Sequence, residues 1–173
     1  MNGLRKSHSK PLVSMIGTED TSMLNRAGSR RWFGGHGMEV SFSDLGISPQ
    51  MCHELKRAGF SEPFEVQRET IPDMMLGRDV CCRAPTGSGK TLAFGIPMLE
   101  RVSRGEPSLP KALILTPTRE LAEQIHGVLD PIAWGLNLRV MAIYGGVSYT
   151  KQIRRLDKGV DIVVACPGRL LDL

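Results

Sequence analysis

Residues 79–92, DVCCRAPTGSGKTL, constrain the fold of this 173-residue chain more than any other stretch. An apolar run, DVCCRA, leads into a glycine-rich loop, and the loop leads directly into a segment with helical spacing. Strand, loop and helix in that order mark a phosphate-binding loop. Gly87 and Gly89 let backbone N–H groups turn inward around phosphate oxygens with no Cβ in the way. Lys90 places a charge on the β- and γ-phosphates, and the Thr91 hydroxyl is a ligand for Mg²⁺. The helix N-terminus adds its partial positive charge. Ala84, Pro85, Thr86 and Ser88 complete the loop, with Ala84 standing where the general pattern begins with glycine. The pattern points to a nucleoside triphosphate, and by itself it does not distinguish a kinase, a GTPase, a motor or a helicase.

The segments around this loop alternate. SPQMCHELKRAG starts a helix with Ser48 as N-cap and Pro49 at the first helical position, and Gly59 stops it. FEVQRETIPDMMLG makes a second helix ending near Gly77, with a kink or break expected at Pro72. The runs DVCCRA, KALILT, LRVMAIY and VDIVVA lack clean apolar/polar alternation, as strands buried on both faces of a parallel sheet do. Helical segments fall between them, at about 90–103, 118–134 and 148–157. The expected fold class is α/β: an open parallel sheet with helices on both faces and right-handed crossovers.

Charge divides the chain in two. Residues 1–37 carry six Lys/Arg and two Asp/Glu, while the remainder carries sixteen of each. The first part is expected to be a disordered basic tail that raises non-specific affinity for nucleic acid. The domain is expected over 38–173, and MEVSFSDLGIS from Met38 would itself serve as a start. No apolar run approaches the ~18 residues of a membrane span, and the N-terminus has no apolar core of a secretory signal. Cys52, Cys81, Cys82 and Cys166 show no metal-ligand spacing, which suits a reducing cytoplasm. Cys81 and Cys82 are expected to be buried in their strand.

Four more stretches follow a fixed order with the phosphate loop: GFSEPFEVQ (59–67), PTRELAEQ (117–124), YGG (144–146) and CPGRLLD (166–172). Together they resemble the first RecA-like domain of a DEAD-box ATP-dependent RNA helicase, from about residue 42 onward. The resemblance implies that Gln67 recognises adenine and that Phe42 stacks on the base. A carboxamide offers a donor and an acceptor together, which suits adenine and fits guanine poorly. Without the family, Phe42 would be read as pinning the first helix to the core, and Gln67 as lying on a solvated face. Phe60 is read as packing. Phe64 departs from the family, which has a small hydroxyl residue there, and the lost N-cap is expected to loosen its helix by about 1 kcal/mol.

The resemblance also implies contacts to the backbone of single-stranded RNA, independent of sequence, from Thr118, Arg119, Gly146, Gly168 and Arg169. Thr118 stands at a helix start whose N–H groups suit a phosphate, and Arg119 pairs with phosphate directly. Glu120 is read as a first-turn acid complementing the helix dipole. Gly145 and Gly146 permit close approach of a sugar-phosphate, a plain turn being the alternative. Cys166 stands where the family has threonine, and a thiol is a weak cap. All these positions follow strand ends, the side on which open α/β sheets bind ligands.

In the family, the Asp-Glu-Ala-Asp acids that hold Mg²⁺ and orient water come after the PGR helix, followed by a second RecA-like domain with arginine fingers. This stretch reaches only Asp172 and Leu173 in that helix. The expectation is that residues 1–173 alone bind ATP, Mg²⁺ and RNA with negligible turnover, and that the complete protein hydrolyses ATP and remodels RNA. The alternatives are a non-catalytic nucleotide or RNA binder or remnant, and a different phosphate-loop enzyme such as a small kinase.

Overall fold

The computed structural model describes residues 40–102 and 109–173, together with the backbone of residues 13–16. Ser43–Leu45 form a 3₁₀ turn, and Pro49–Arg57 form helix α1. Ser48 caps α1 by accepting from the Met51 N–H at 3.2 Å, and the Ser48 N–H donates to Glu100 Oε1 at 2.8 Å. Gly59, with φ +89°, turns the chain out of α1. Helix α2, Glu65–Met75, runs through Pro72, so the break expected there does not occur.

Strand β2 is Val80–Arg83, and helix α3, Lys90–Arg101, follows the phosphate loop. Then come β3 (Ala112–Leu115), α4 (Arg119–Gly135), β4 (Val140–Ile143), α5 (Tyr149–Asp157), β5 (Ile162–Ala165) and α6 (Pro167–Asp172). Strands β3, β5 and β4 form one parallel sheet in that spatial order, with Ala112 and Val140 both in register with Ile162. Val13–Ile16 form strand β1, paired in parallel with β2 in the register Val13–Val80 to Ile16–Arg83. These four residues fall in the segment expected to be a disordered tail; the rest of that segment lies outside the described residues.

The sheet separates two apolar layers. On one face, Val140, Ile162 and Val164 pack with Met51, Leu55, Ile71, Ile96, Leu129 and Ile132 from α1 to α4. On the other, Met141, Ile143, Val163 and Ala165 meet Leu156 and Leu170 from α5 and α6. The alternation follows from the pleat, which sends successive side chains to opposite faces. Strand β5 is buried along its whole length, as expected from VDIVVA. Strands β2 and β3 differ from the expectation. Cys81, Leu113 and Leu115 are exposed, because one face of each of these strands is left uncovered by the other described residues.

Candidate nucleotide and nucleic-acid site

The loop after β2 has the backbone that its glycines anticipate, with φ +79° at Gly87 and +88° at Gly89. Lys90, at the start of α3, donates from Nζ to the carbonyls of Ala84 and Pro85, each at 2.6 Å. The loop is thus closed on its own lysine, whose ammonium already sits among oxygen acceptors. Ser88 Oγ is buried and has no hydrogen-bond partner. An orphaned hydroxyl, a lysine held at carbonyls and two left-handed glycines are what a phosphate cradle requires, so these residues fit a triphosphate. Thr91, adjacent and part-buried, carries the hydroxyl suited to Mg²⁺.

Gln67 is 2% exposed and joins α2 to the loop. Its Oε1 accepts from the Phe64 N–H at 3.0 Å, and its Nε2 donates to the Gly89 carbonyl at 2.9 Å. The first bond is one half of a capping box, so α2 keeps a cap although Phe64 has no capping side chain. One N–H and one lone pair of the carboxamide remain for a base. Phe64 itself is exposed, at the mouth of the loop. Phe42 lies in the apolar core beside Leu45 and Ile47 and is 4% exposed. Phe60 is half-buried and packs against that core.

A cleft of about 590 Å³ opens beside the loop. Gln67, Thr86, Gly87, Gly89, Lys90 and Thr91 line one wall, and Leu113, Leu115, Thr116 and Pro117 from β3 and its carboxyl end line the other. Ala84, Pro85 and Ser88 face a second depression on the opposite side of the loop, together with Phe64 and Arg68.

The loops after β3, β4 and β5 come together. Thr118 caps α4 by accepting from the Leu121 N–H at 3.3 Å. Arg119 packs its guanidinium 5.1 Å from the centroid of the Tyr144 ring and pairs through Nε with Glu123 at 3.2 Å. Hydrogen bonds from the Tyr144 hydroxyl and then from Arg119 hold the Glu123 carboxyl below its ordinary range. The same carboxylate, and then burial, push the Tyr144 phenol up. Gly146, with φ +82°, faces Arg119: a Cβ there would lie 3.4 Å from Nη1. Arg169 donates through Nη1 to the Val147 carbonyl at 2.9 Å and to Gln152 Oε1 at 3.0 Å. Gly145 and Gly168 are exposed, with open space where a Cβ would be. Cys166 makes no capping bond to α6; its Sγ lies 3.7 Å from Thr116 Oγ1.

Arg119, Gly146 and Arg169 are therefore gathered at adjoining strand ends. Of the residues expected at the nucleotide, Phe42 lines neither the cleft nor the second depression and lies inside the core. Tyr144, Glu123 and Gln152 were not singled out from the sequence. The available signal for Gln152 was its place on the same α5 stripe as Tyr149 and Leu156, where a polar residue among apolar ones needs a partner. Among the described residues, no cluster of three His, Cys, Asp or Glu is placed to hold a metal, and no helix is long and apolar enough to cross a membrane.

A family model described as DEAD/DEAH box helicase matches residues 64–173. The chain is 44% identical over 133 residues to RNA helicase CrhR of Synechocystis sp., covering 77% of this chain and 27% of that protein. It is 47% identical over 137 residues to ATP-dependent RNA helicase mak5 of Schizosaccharomyces pombe, covering 78% of this chain and 21% of the relative. The chain thus spans about a quarter of the length of these curated relatives. Among solved structures, it superposes on the RNA-helicase Prp28 from Chaetomium thermophilum bound to ADP, with a TM-score of 0.71 and 40% identity over 76% of this chain and 33% of that one. A DEAD box protein from Methanococcus jannaschii gives a TM-score of 0.70 and 36% identity over 78% of this chain and 37% of that one. With the model matching well over half of its residues, the chain belongs to the DEAD/DEAH box helicase family and has the fold of that family's RecA-like domain.

Proposed function

We propose that this chain is the ATP- and RNA-binding front of an ATP-dependent RNA helicase. The observation that carries the reading is Lys90, held by two main-chain carbonyls inside a left-handed glycine loop with an unpartnered hydroxyl beside it. On binding, the ammonium exchanges those carbonyls for β- and γ-phosphate oxygens, while the Gly87 and Gly89 region supplies N–H donors. Thr91 would hold Mg²⁺ through its hydroxyl. Gln67 offers its free N–H and lone pair to adenine, and Phe42 stacks on the base once one of its faces is uncovered. Thr118, Arg119, Gly146, Gly168 and Arg169 bind the sugar-phosphate backbone of single-stranded RNA without reading bases. Bound ATP supplies the anhydride whose cleavage, with acids and a second RecA-like domain contributed by the complete protein, releases RNA.

The test is nucleotide and RNA binding by the parent and by Lys90→Ala. Lys90→Ala is expected to weaken Mg-ATP binding by roughly 10- to 100-fold, the scale of a charge-assisted contact. RNA-stimulated hydrolysis by the complete protein is expected to vanish with it, while RNA affinity without nucleotide stays near that of the parent. Equal affinity for ATP and GTP would refute the Gln67 role, and unchanged ATP affinity in Lys90→Ala would refute the phosphate role.

A further inference from the structure

We infer that Gln152 is a positioning residue that sets the RNA-contact edge by tying the glycine loop after β4 to Arg169. This inference rests on the RNA reading of Arg169 given above. Gln152 is 4% exposed, on a helix whose other polar residues face solvent. Its two amide atoms are spent on two different loops. Nε2 donates to the Tyr144 carbonyl at 3.1 Å, at the end of β4, and Oε1 accepts from Arg169 Nη1 at 3.0 Å. The same Nη1 donates to the Val147 carbonyl at 2.9 Å, closing a ring of contacts around Gly145 and Gly146.

The two hydrogen bonds that direct Arg169 Nη1 go to uncharged acceptors, while its Nε lies 4.0 Å from the exposed Asp172 carboxylate, against 3.2 Å between Arg119 Nε and Glu123. Its positive charge is therefore paired less closely than that of Arg119. The Tyr144 carbonyl is held from behind, and the Tyr144 ring in turn carries the Arg119 guanidinium. One buried carboxamide thus connects both arginines proposed to meet RNA. A carboxamide is the side chain that does this without adding charge, because it presents a donor and an acceptor at once. An apolar residue of the same length would leave the Tyr144 carbonyl without this donor and Arg169 Nη1 with the Val147 carbonyl as its remaining acceptor.

The experiment is a double-mutant cycle in the full chain, with Gln152→Met, Arg169→Ala and the double variant. It reads the dissociation constant for a labelled mixed-sequence single-stranded RNA, with Mg-ATP affinity measured on each variant as the control for folding. The expected result is that Gln152→Met weakens RNA binding by about tenfold, close to the loss in Arg169→Ala. The double variant should be no weaker than Arg169→Ala alone, and Mg-ATP affinity should hold within about twofold. Gln152→Leu also removes both polar atoms without adding charge, so it should weaken RNA binding to the same extent as Gln152→Met, and it serves if the methionine variant fails to fold. Parental RNA affinity in both Gln152 variants, with Arg169→Ala weakened, overturns the inference alone. So do losses that add in the double variant. Parental affinity in Arg169→Ala removes the RNA role of that arginine and the inference with it.

Discussion

Gly127 and Gly135 stand in the same helix, α4, and meet opposite surroundings. A Cβ on Gly127 would enter open space, whereas one on Gly135 would lie 1.9 Å from Oε2 of Glu54. Glu54 is buried and held 2.6 Å from Arg57 Nη2, so it has little room to withdraw. Gly135→Ala is therefore expected to destabilise by about 1–3 kcal/mol through overpacking. Gly127→Ala should stabilise by about 0.5–1 kcal/mol through helix propensity alone. Thermal melts of the two variants check both signs. Tyr144 is raised chiefly by its hydrogen bond to Glu123, so its neutral form is favoured in the fold. That contribution is whole below the ordinary value of 10.0 and fades as pH rises through the folded value. Glu123 runs the other way: its contribution is present above its ordinary 4.5 and fades as pH falls through the lowered one. The chain has two tyrosines, so a Tyr149→Phe background isolates Tyr144 in an absorbance titration of phenolate. Glu123→Gln should move that titration downward, and an unmoved curve would show that the carboxylate is not its cause.

At the scale of elements, β1 and β2 are the pair whose origin the sequence hides. The four apolar runs read as strands were found because they are rich in Val, Ile, Leu or Cys and bounded by turn residues. VSMI is as short as the others, but it sits in a basic, serine-rich segment with no helix pattern to frame it. Its pairing is a matter of tertiary contact. Deleting residues 1–37 is expected to expose one edge of β2 and to raise amide exchange at Val80–Arg83, while Ile162–Ala165, flanked by β3 and β4, keeps its protection. Unchanged exchange in β2 would mean that β1 adds nothing to that edge. The phosphate loop was legible for the reverse reason, since its chemistry is local and a few residues suffice. Gln67 was singled out in the sequence, but not for the bonds it makes here. That its carboxamide caps α2 and holds Gly89 depends on how two distant elements meet. Phe42 was weighed from the sequence both as a base-stacking residue and as a core residue, and its burial fits the second use directly. The exposed Cys81 shows the limit of reading burial from composition, because the strand is apolar while one of its faces is uncovered.

For the whole molecule, the uneven charge makes a prediction about salt. Residues 38–173 carry sixteen Lys/Arg and sixteen Asp/Glu, so this part has no net charge to attract RNA. On the proposed reading, binding there depends on a few placed cations, chiefly Arg119 and Arg169, each already facing an acid, Glu123 and Asp172. Two phosphate contacts on a single strand give a slope of log K against log salt near about −1.4. The first 37 residues hold six Lys/Arg against two Asp/Glu, and as a polyelectrolyte contact they would steepen that slope by up to about 4. Titrations of one single-stranded RNA at several salt concentrations, with the whole chain and with residues 38–173, separate the two sources. The shorter chain should keep a shallow slope that Arg169→Ala reduces further, by about 0.7. If both chains give the same slope, the N-terminal cations do not touch RNA, and β1 holds its segment against the protein instead. If the shorter chain loses all salt dependence, then neither Arg119 nor Arg169 meets a phosphate, and the RNA edge must be sought elsewhere on the domain.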